Sequence, residues 1–189
     1  MDKLIPLHYL KKFERFFNGY SDVKLPHKFK IGVGGCPNNC IKPELNDLGV
    51  VGQKAPDFDK NKCMGCMKCP VEEICPMDAA KVLDGMLEID RDECNNCGRC
   101  IGKCHFNAIT GGKTGYKIYI GGRWGKRIAL GKPLGKIFTD KKDVDVIEKT
   151  ILLYKEQGIT GERLSQTIER LGFENVESQL LLIKPLKRK

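Results

Sequence analysis

The sequence predicts an α+β protein: an α/β domain interrupted by a small, internally duplicated, cysteine-rich insert. Three observations predict it. Helix- and strand-period apolar patterns lie on both sides of a stretch of different texture. Eight of the ten cysteines fall inside that stretch, in two runs that repeat. The 189-residue length accommodates one ordinary domain plus a small inserted one. The expected boundaries are 57–112 for the insert and 1–56 with 113–189 for the discontinuous domain.

In chain order, Leu7, Leu10, Phe13 and Phe17 recur at steps of three and four, predicting an opening helix that Asn18-Gly19 ends. After Pro26, Phe29, Ile31 and Val33 alternate with Lys28, Lys30 and Gly32, the pattern of a half-buried strand. That strand runs into a Gly/Pro/Asn loop carrying Cys36 and Cys40, and Leu48 to Val51 reads as a short strand. Within the insert, Asp84-Gly85 is a turn signal before a short strand, Met86 to Asp90. Beyond it, Tyr116, Ile118 and Ile120 alternate as a strand, and a glycine-rich basic loop, Gly121 to Arg127, follows. Val144, Ile147, Ile151 and Tyr154 mark one helix face stopped by Gly158; Leu164, Ile168 and Leu171 mark another stopped by Gly172. A further helix is expected from about Asn175. The single tryptophan, Trp124, is expected in the core.

The two cysteine runs carry the chemistry. Cys63, Cys66 and Cys69 form C-x2-C-x2-C, followed by Cys75-Pro76; Cys94, Cys97 and Cys100 repeat the triplet, followed by Cys104. Two intervening residues let the chain wrap so that successive thiolates point at one centre, and the fourth ligand comes from outside the loop. In the bacterial two-cluster pattern the distant cysteine ligates the other cluster. The expected assignment is therefore one 4Fe-4S cluster on Cys63, Cys66, Cys69 and Cys104, and a second on Cys94, Cys97, Cys100 and Cys75. Zinc is the rival metal, although its sites use two cysteines per unit rather than three in a row. A disulfide framework is the other rival; a chain of this length with hydrophobic runs does not need stapling. Met64, Met67 and Met77 are expected to shield the clusters from water, and His105, standing where such runs usually have proline, is expected at a partly exposed position.

Cys36 and Cys40 belong to neither run. A C-x3-C pair at a strand-to-loop junction reads either as free thiols or as part of a larger ligand set, since a cubane takes four. The segment from Leu25 to Cys40, with its Gly-Gly-Cys-Pro-Asn-Asn-Cys ending, resembles the second cluster-binding stretch of sirohaem-dependent sulfite and nitrite reductases. Tyr119 to Gly125 and the helical region after it are similar to further parts of that family. Some small anaerobic members carry a two-cluster ferredoxin inserted between these parts, so the resemblance covers nearly the whole chain and is to the family's C-terminal half.

The resemblance implies electron delivery from the inserted clusters to a sirohaem coupled to a third 4Fe-4S cluster, where sulfite or nitrite is reduced by six electrons. It implies Cys36 as a ligand of that cluster and Cys40 as the thiolate shared with sirohaem. Arg123, Lys126 and Arg127 are candidates to pair with sirohaem carboxylates or an anionic substrate, by charge and position, or are plain surface cations. The family's further C-x5-C stretch has no counterpart among these residues, so a sirohaem centre is expected only if the chain is a fragment of a longer protein or a subunit completed by a partner chain. The alternative is a stand-alone electron carrier on a reductase scaffold.

Composition bounds the rest. Hydrophobic residues make up 41% and no apolar run approaches membrane-spanning length. Lys3, His8, Lys11 and Lys12 among the first apolar residues do not suit a secretory leader, and free thiolate ligands suit a reduced, oxygen-poor cytoplasm. The net charge of +9 suggests docking of an acidic electron-donor protein, an anionic ligand, or a solvated surface with a basic tail from Lys184 to Lys189. Nucleic acid is disfavoured because no aromatic–basic recognition motif accompanies the charge.

Overall fold

The computed structural model describes residues 23–139 and 142–182. The predicted opening helix, the side chain of Val144 and the basic tail lie outside the described residues and side chains. The elements are β1 (Ile31–Gly34), β2 (Leu48–Phe58), α1 (Pro70–Glu73), β3 (Ala80–Leu83), β4 (Met86–Ile89), β5 (Ile109–Ile120), β6 (Lys132–Phe138), α2 (Lys142–Gln157), α3 (Leu164–Leu171) and α4 (Phe173–Leu181), with single 3-10 turns at Pro43–Leu45 and Lys60–Lys62. A mixed sheet with helices makes the fold α+β. Among the described residues no helix is long and apolar enough to cross a membrane.

The chain divides into two units. One comprises Met1–Gly35, Asn39–Gly52 and Tyr116–Lys189; the other comprises Cys36–Asn38 and Gln53–Gly115. Strands β2 and β5 continue through the two crossings, so both are longer than the short strands expected at 48–51 and 116–120.

The sheet has the order β1-β2-β5-β6. Strand β1 pairs parallel with β2, Ile31 opposite Leu48, and β5 pairs antiparallel with β6, Tyr116 opposite Phe138. In the larger unit, Leu48, Val50, Ile118, Ile120, Leu134 and Phe138 from the strands meet Ile147, Ile151 and Tyr154 of α2, Leu164 and Ile168 of α3, and Val176 and Leu180 of α4. Burying each such side chain contributes about 1.5–3 kcal/mol against exposure. Phe29, Ile31 and Val33 pack on this core as their alternation predicts. The opposite, glycine face of β1 is buried too, because the 43–45 turn lies on it: a Cβ at Gly32 would fall 2.5 Å from Asn46 Nδ2.

The core also holds a charged pair. Arg163 donates from Nε to Asp47 Oδ1 at 3.1 Å and from Nη2 to Oδ2 at 2.5 Å, with side-chain exposures of 7% and 0%. Asp47 Oδ2 also accepts from the Lys30 amide at 3.0 Å, and the Asp47 carbonyl accepts from Gly121 N at 2.9 Å. Asp47 thus ties the approaches to β1 and α3 through its carboxylate and the end of β5 through its backbone carbonyl.

Candidate functional site

In the cysteine-rich unit, the hairpin β3–β4 turns on Asp84 and Gly85, whose φ values of 49° and 75° are those of a two-residue primed turn. Its small core is Val71, Ala80, Leu87 and Ile109, and against it pack Cys63, Cys69, Cys75, Cys100 and Cys104. Thiols therefore occupy positions that aliphatic side chains fill in an ordinary domain of this size.

The duplication extends well past the cysteines. Four residues before each triplet stands an aspartate, Asp59 or Asp90, whose Oδ1 accepts from the amide two residues on, Asn61 at 3.1 Å or Asp92 at 2.9 Å. Between the first two cysteines of each triplet, Gly65 and Asn96 are left-handed, with φ 61° and 56°. Three residues after each distant cysteine, Asp78 and Asn107 are left-handed again, with φ 51° and 54°. Gly, Asn and Asp are the residues that accept this conformation at least cost. The two halves exchange main-chain bonds: Asp59 N donates to Ala108 O at 2.9 Å, and Asp90 N donates to Ala79 O at 2.8 Å. Only the cysteine spacing and the Asp84-Gly85 turn were read from sequence; the repeated Asp, Gly/Asn and Asp/Asn positions were available there and were missed.

Two sets of four thiols result. Cys63, Cys66, Cys69 and Cys104 line one cavity, whose remaining wall includes Val71, Val82, Leu87 and Ala108. Around the other set, burial pushes the Cys100 thiol up to about 11; a backbone hydrogen bond works against the rise, and charge on Cys97, Cys94 and Cys75 adds to it. The donor sets fit iron–sulfur ligation: four thiols each, the first lining an apolar cavity and Cys75 and Cys100 of the second packed against the small apolar core. All ten cysteines are free of disulfides. Among the described residues no three His, Cys, Asp or Glu side chains converge as closely as a lone ion requires.

The methionines do not act alike. Met64 borders the cavity but is 67% exposed, Met67 is fully exposed, and Met77 is 41% exposed. The shielding expected of Met67 is therefore absent: its side chain points to solvent from the middle of the C-x2-C-x2-C loop. His105 is exposed at the rim of the same cavity, as expected.

Cys36 is half-buried and falls in the cysteine-rich unit; Cys40 is exposed and falls in the larger one. Next to Cys40, Asn39 is left-handed at φ 60° and donates to Glu44 Oε2 at 2.6 Å, while its Oδ1 is buried without a partner. In the basic loop, Arg123 and Ala129 exchange backbone bonds at 2.8 and 3.0 Å, and Arg123 Nη1 donates to Gln166 Oε1 at 3.4 Å. Lys126 and Arg127 are exposed at the tip. Trp124 is 63% exposed, contrary to the expectation that it is core, because the Arg123–Ala129 bridge projects residues 124–128 away from the sheet. Charge is divided unequally: the cysteine-rich unit has nine Lys and Arg against ten Asp and Glu, so the positive excess belongs to the rest of the chain.

Comparison with known proteins places this geometry. The chain is 37% identical over 65 residues to a coenzyme F420-dependent sulfite reductase of Methanocaldococcus jannaschii, a match spanning 34% of this chain and 10% of that one. It is 31% identical over 86 residues to an uncharacterized ferredoxin of the same organism, spanning 44% of this chain and 51% of the other. Its fold matches the crystal structure of dissimilatory sulfite reductase I with a TM-score of 0.62 and 22% identity, over 90% of this chain and 47% of that chain. The chain thus spans about half or less of each of these relatives. The nitrite and sulphite reductase 4Fe-4S domain matches residues 6–189, and the chain is accordingly an iron–sulfur protein belonging to that family.

Proposed function

We propose that this chain is an electron-transfer component of a sulfite or nitrite reductase, with one 4Fe-4S cluster on Cys63, Cys66, Cys69 and Cys104 and a second on Cys94, Cys97, Cys100 and Cys75. The observation that carries the reading is the interleaving of two repeats, in which each group of four thiols takes three from one loop and one from the other. Such clusters supply one-electron transfer; the chain's own residues hold them in apolar walls, limit water and fix the loops that present the thiolates. The insert at 57–112 is then a ferredoxin-like module within a reductase scaffold. Iron and acid-labile sulfide analysis of anaerobically purified protein tests this: about eight of each per chain is expected, and two zinc ions with no sulfide would overturn it.

Outside the two groups only Cys36 and Cys40 remain. Two thiols do not hold a third cluster. A coupled sirohaem centre, with Cys40 as the shared thiolate and Arg123, Lys126 and Arg127 facing carboxylates or anionic substrate, takes its remaining ligands from outside these residues, and we propose a second chain as one source of them. The same count favours a second reading, a cytoplasmic electron carrier on a reductase scaffold with no sirohaem. Coexpression with candidate partner chains separates the two, since sirohaem adds strong visible bands that cubanes lack.

A further inference from the structure

We propose that Lys54 sets the reduction potential of the centre held by Cys94, Cys97, Cys100 and Cys75, its charge making that centre easier to reduce than the ligand loop alone would. The proposal rests on the two-cluster reading above and gives a role within it to a residue that ligates nothing.

The duplication supplies the observation. Cys63 and Cys94 are related by an offset of 31 positions, and the same offset relates Gly65 to Asn96 and Lys54 to Gly85. Lys54 and Gly85 occupy equivalent places, each against the loop of one triplet. The amide of Lys54 donates to Asn96 O at 2.8 Å. Gly85 meets Gly65, where a Cβ would run into the Gly85 carbonyl oxygen. The two places hold charge of opposite sign. Against the first loop stands a carbonyl oxygen, the negative end of a peptide dipole. Over the second runs a lysine stem. A Cβ at Gly98 would fall 3.0 Å from Lys54 Cβ and 3.2 Å from its Cγ and Cδ, and a Cβ at Gly111 would fall 3.6 Å from its Cε. The half-buried stem therefore lies between the ligand loop and β5, with its ammonium one bond beyond Cε. Gly98 follows Cys97 directly, and its equivalent in the first loop is Met67, whose side chain is fully exposed.

Other charges do not produce this asymmetry. Lys60 and Arg91 are repeat equivalents, as are Lys68 and Arg99, so these cations balance. Asp92 and Glu93 precede Cys94 where Asn61 and Lys62 precede Cys63, a difference that disfavours an added electron on the second centre. All four of those side chains are exposed, where salt weakens their reach, whereas a half-buried cation is screened less. Reduction adds one electron and one negative charge to the centre; no bond forms and no proton moves. A cation held beside the loop stabilises that added charge. Lys54 thus offsets the acidic approach to Cys94 and keeps the second centre accessible to an electron held on the first.

The test is an anaerobic redox titration of the full chain with its clusters assembled, followed by low-temperature electron paramagnetic resonance. Lys54→Met keeps the stem and removes the charge, Lys54→Gln is a second neutral variant, and Lys54→Arg keeps the charge. Iron and sulfide equal to wild type are expected in all three. At the potential where the wild-type second centre is half reduced, the ratio of reduced to oxidised centre is expected to fall about three- to tenfold in both neutral variants. Lys54→Arg, and the first centre in every variant, are expected to change by less than about twofold. The Cys63→Ser with Cys104→Ser background, which leaves the second centre alone, identifies the step that moves. No shift in the neutral variants, an equal shift of both centres, or a shift in Lys54→Arg as large as in Lys54→Met overturns the proposal. Loss of iron from both neutral variants overturns it too, since Lys54 would then be a packing residue. Absence of iron and sulfide from the wild-type chain would instead sink the two-cluster reading itself.

Discussion

The amide of Asp59 donates to the carbonyl of Ala108 at 2.9 Å, and its repeat counterpart Asp90 donates to Ala79 at 2.8 Å. Each bond joins the approach to one cysteine triplet with the residue four positions past the distant cysteine of the other repeat. The exchange of backbone bonds therefore follows the same path as the exchange of thiols. A distant cysteine sits on the loop that its own repeat has lent to the other half, so its sulfur is delivered to the far group without any long excursion of the chain.

This relationship predicts which pairs of cysteine substitutions act on one centre. Cys63→Ser with Cys104→Ser is expected to leave one cluster, about four irons per chain, because both sulfurs belong to one group. Cys94→Ser with Cys104→Ser is expected to remove both clusters. Iron analysis and low-temperature electron paramagnetic resonance of the three single and two double variants check it. The reverse ranking would mean that each repeat ligates its own cluster.

Gly65 predicts a second asymmetry. Its φ of 61° and its approach to the Gly85 carbonyl both exclude a side chain, whereas the equivalent Asn96 already carries one at φ 56°. Gly65→Ala is expected to cost about 1–2 kcal/mol for the left-handed backbone alone, with more from the displaced hairpin. Asn96→Gly is expected to be nearly neutral. Chelator-challenge rates of cluster loss rank them: Gly65→Ala fastest, Asn96→Gly indistinguishable from wild type.

Much of this was legible before the fold. Apolar spacing placed α2 and α3, and Gly158 and Gly172 end them. Strand β6 escaped notice because Leu134, Ile137 and Phe138 are interrupted by Pro133, Gly135 and Lys136, which leaves no alternation to read. Strand β3 is four residues long and gains meaning only from its pairing with β4. The Asp47–Arg163 pair was invisible for a different reason: the partners are 116 positions apart, and buried charge leaves no periodic trace. Trp124 misled because a bulky aromatic suits a core by chemistry, while a two-bond bridge at Arg123 and Ala129 decided its direction.

The buried pair yields a stability prediction. Removing one partner strands a charge at a site where Asp47 is wholly buried. Arg163→Met is expected to cost about 3–5 kcal/mol, whereas replacing both partners with apolar residues of similar volume is expected to cost much less. Urea midpoints of the single and double variants measure the difference. Equal costs would show that the pair acts through its backbone bonds rather than its charge.

Glu162 gives the pH-dependent prediction. Its carboxylate accepts from Arg170 Nε and Nη2 at 3.1 and 2.9 Å, from the Ile159 amide at 3.1 Å and from Thr167 Oγ1 at 3.0 Å. The Arg170 side chain first, then the Ile159 amide, hold Glu162 down to about 2 from an ordinary 4.5. A carboxylate depressed on folding contributes stability above its unfolded value and loses it as pH falls toward its folded one. The increment is therefore constant above about pH 4.5 and shrinks between there and about pH 2. Because the pair is open to solvent on the Arg170 side, at 38% exposure against 18% for Glu162, screening keeps the effect small. The gap in melting temperature between wild type and Glu162→Gln is expected to narrow over that interval and to be flat from pH 5 to 8. A gap that stayed constant down to pH 2 would show that Gln keeps the same hydrogen bonds and that charge contributes nothing to closing the loop between α2 and α3.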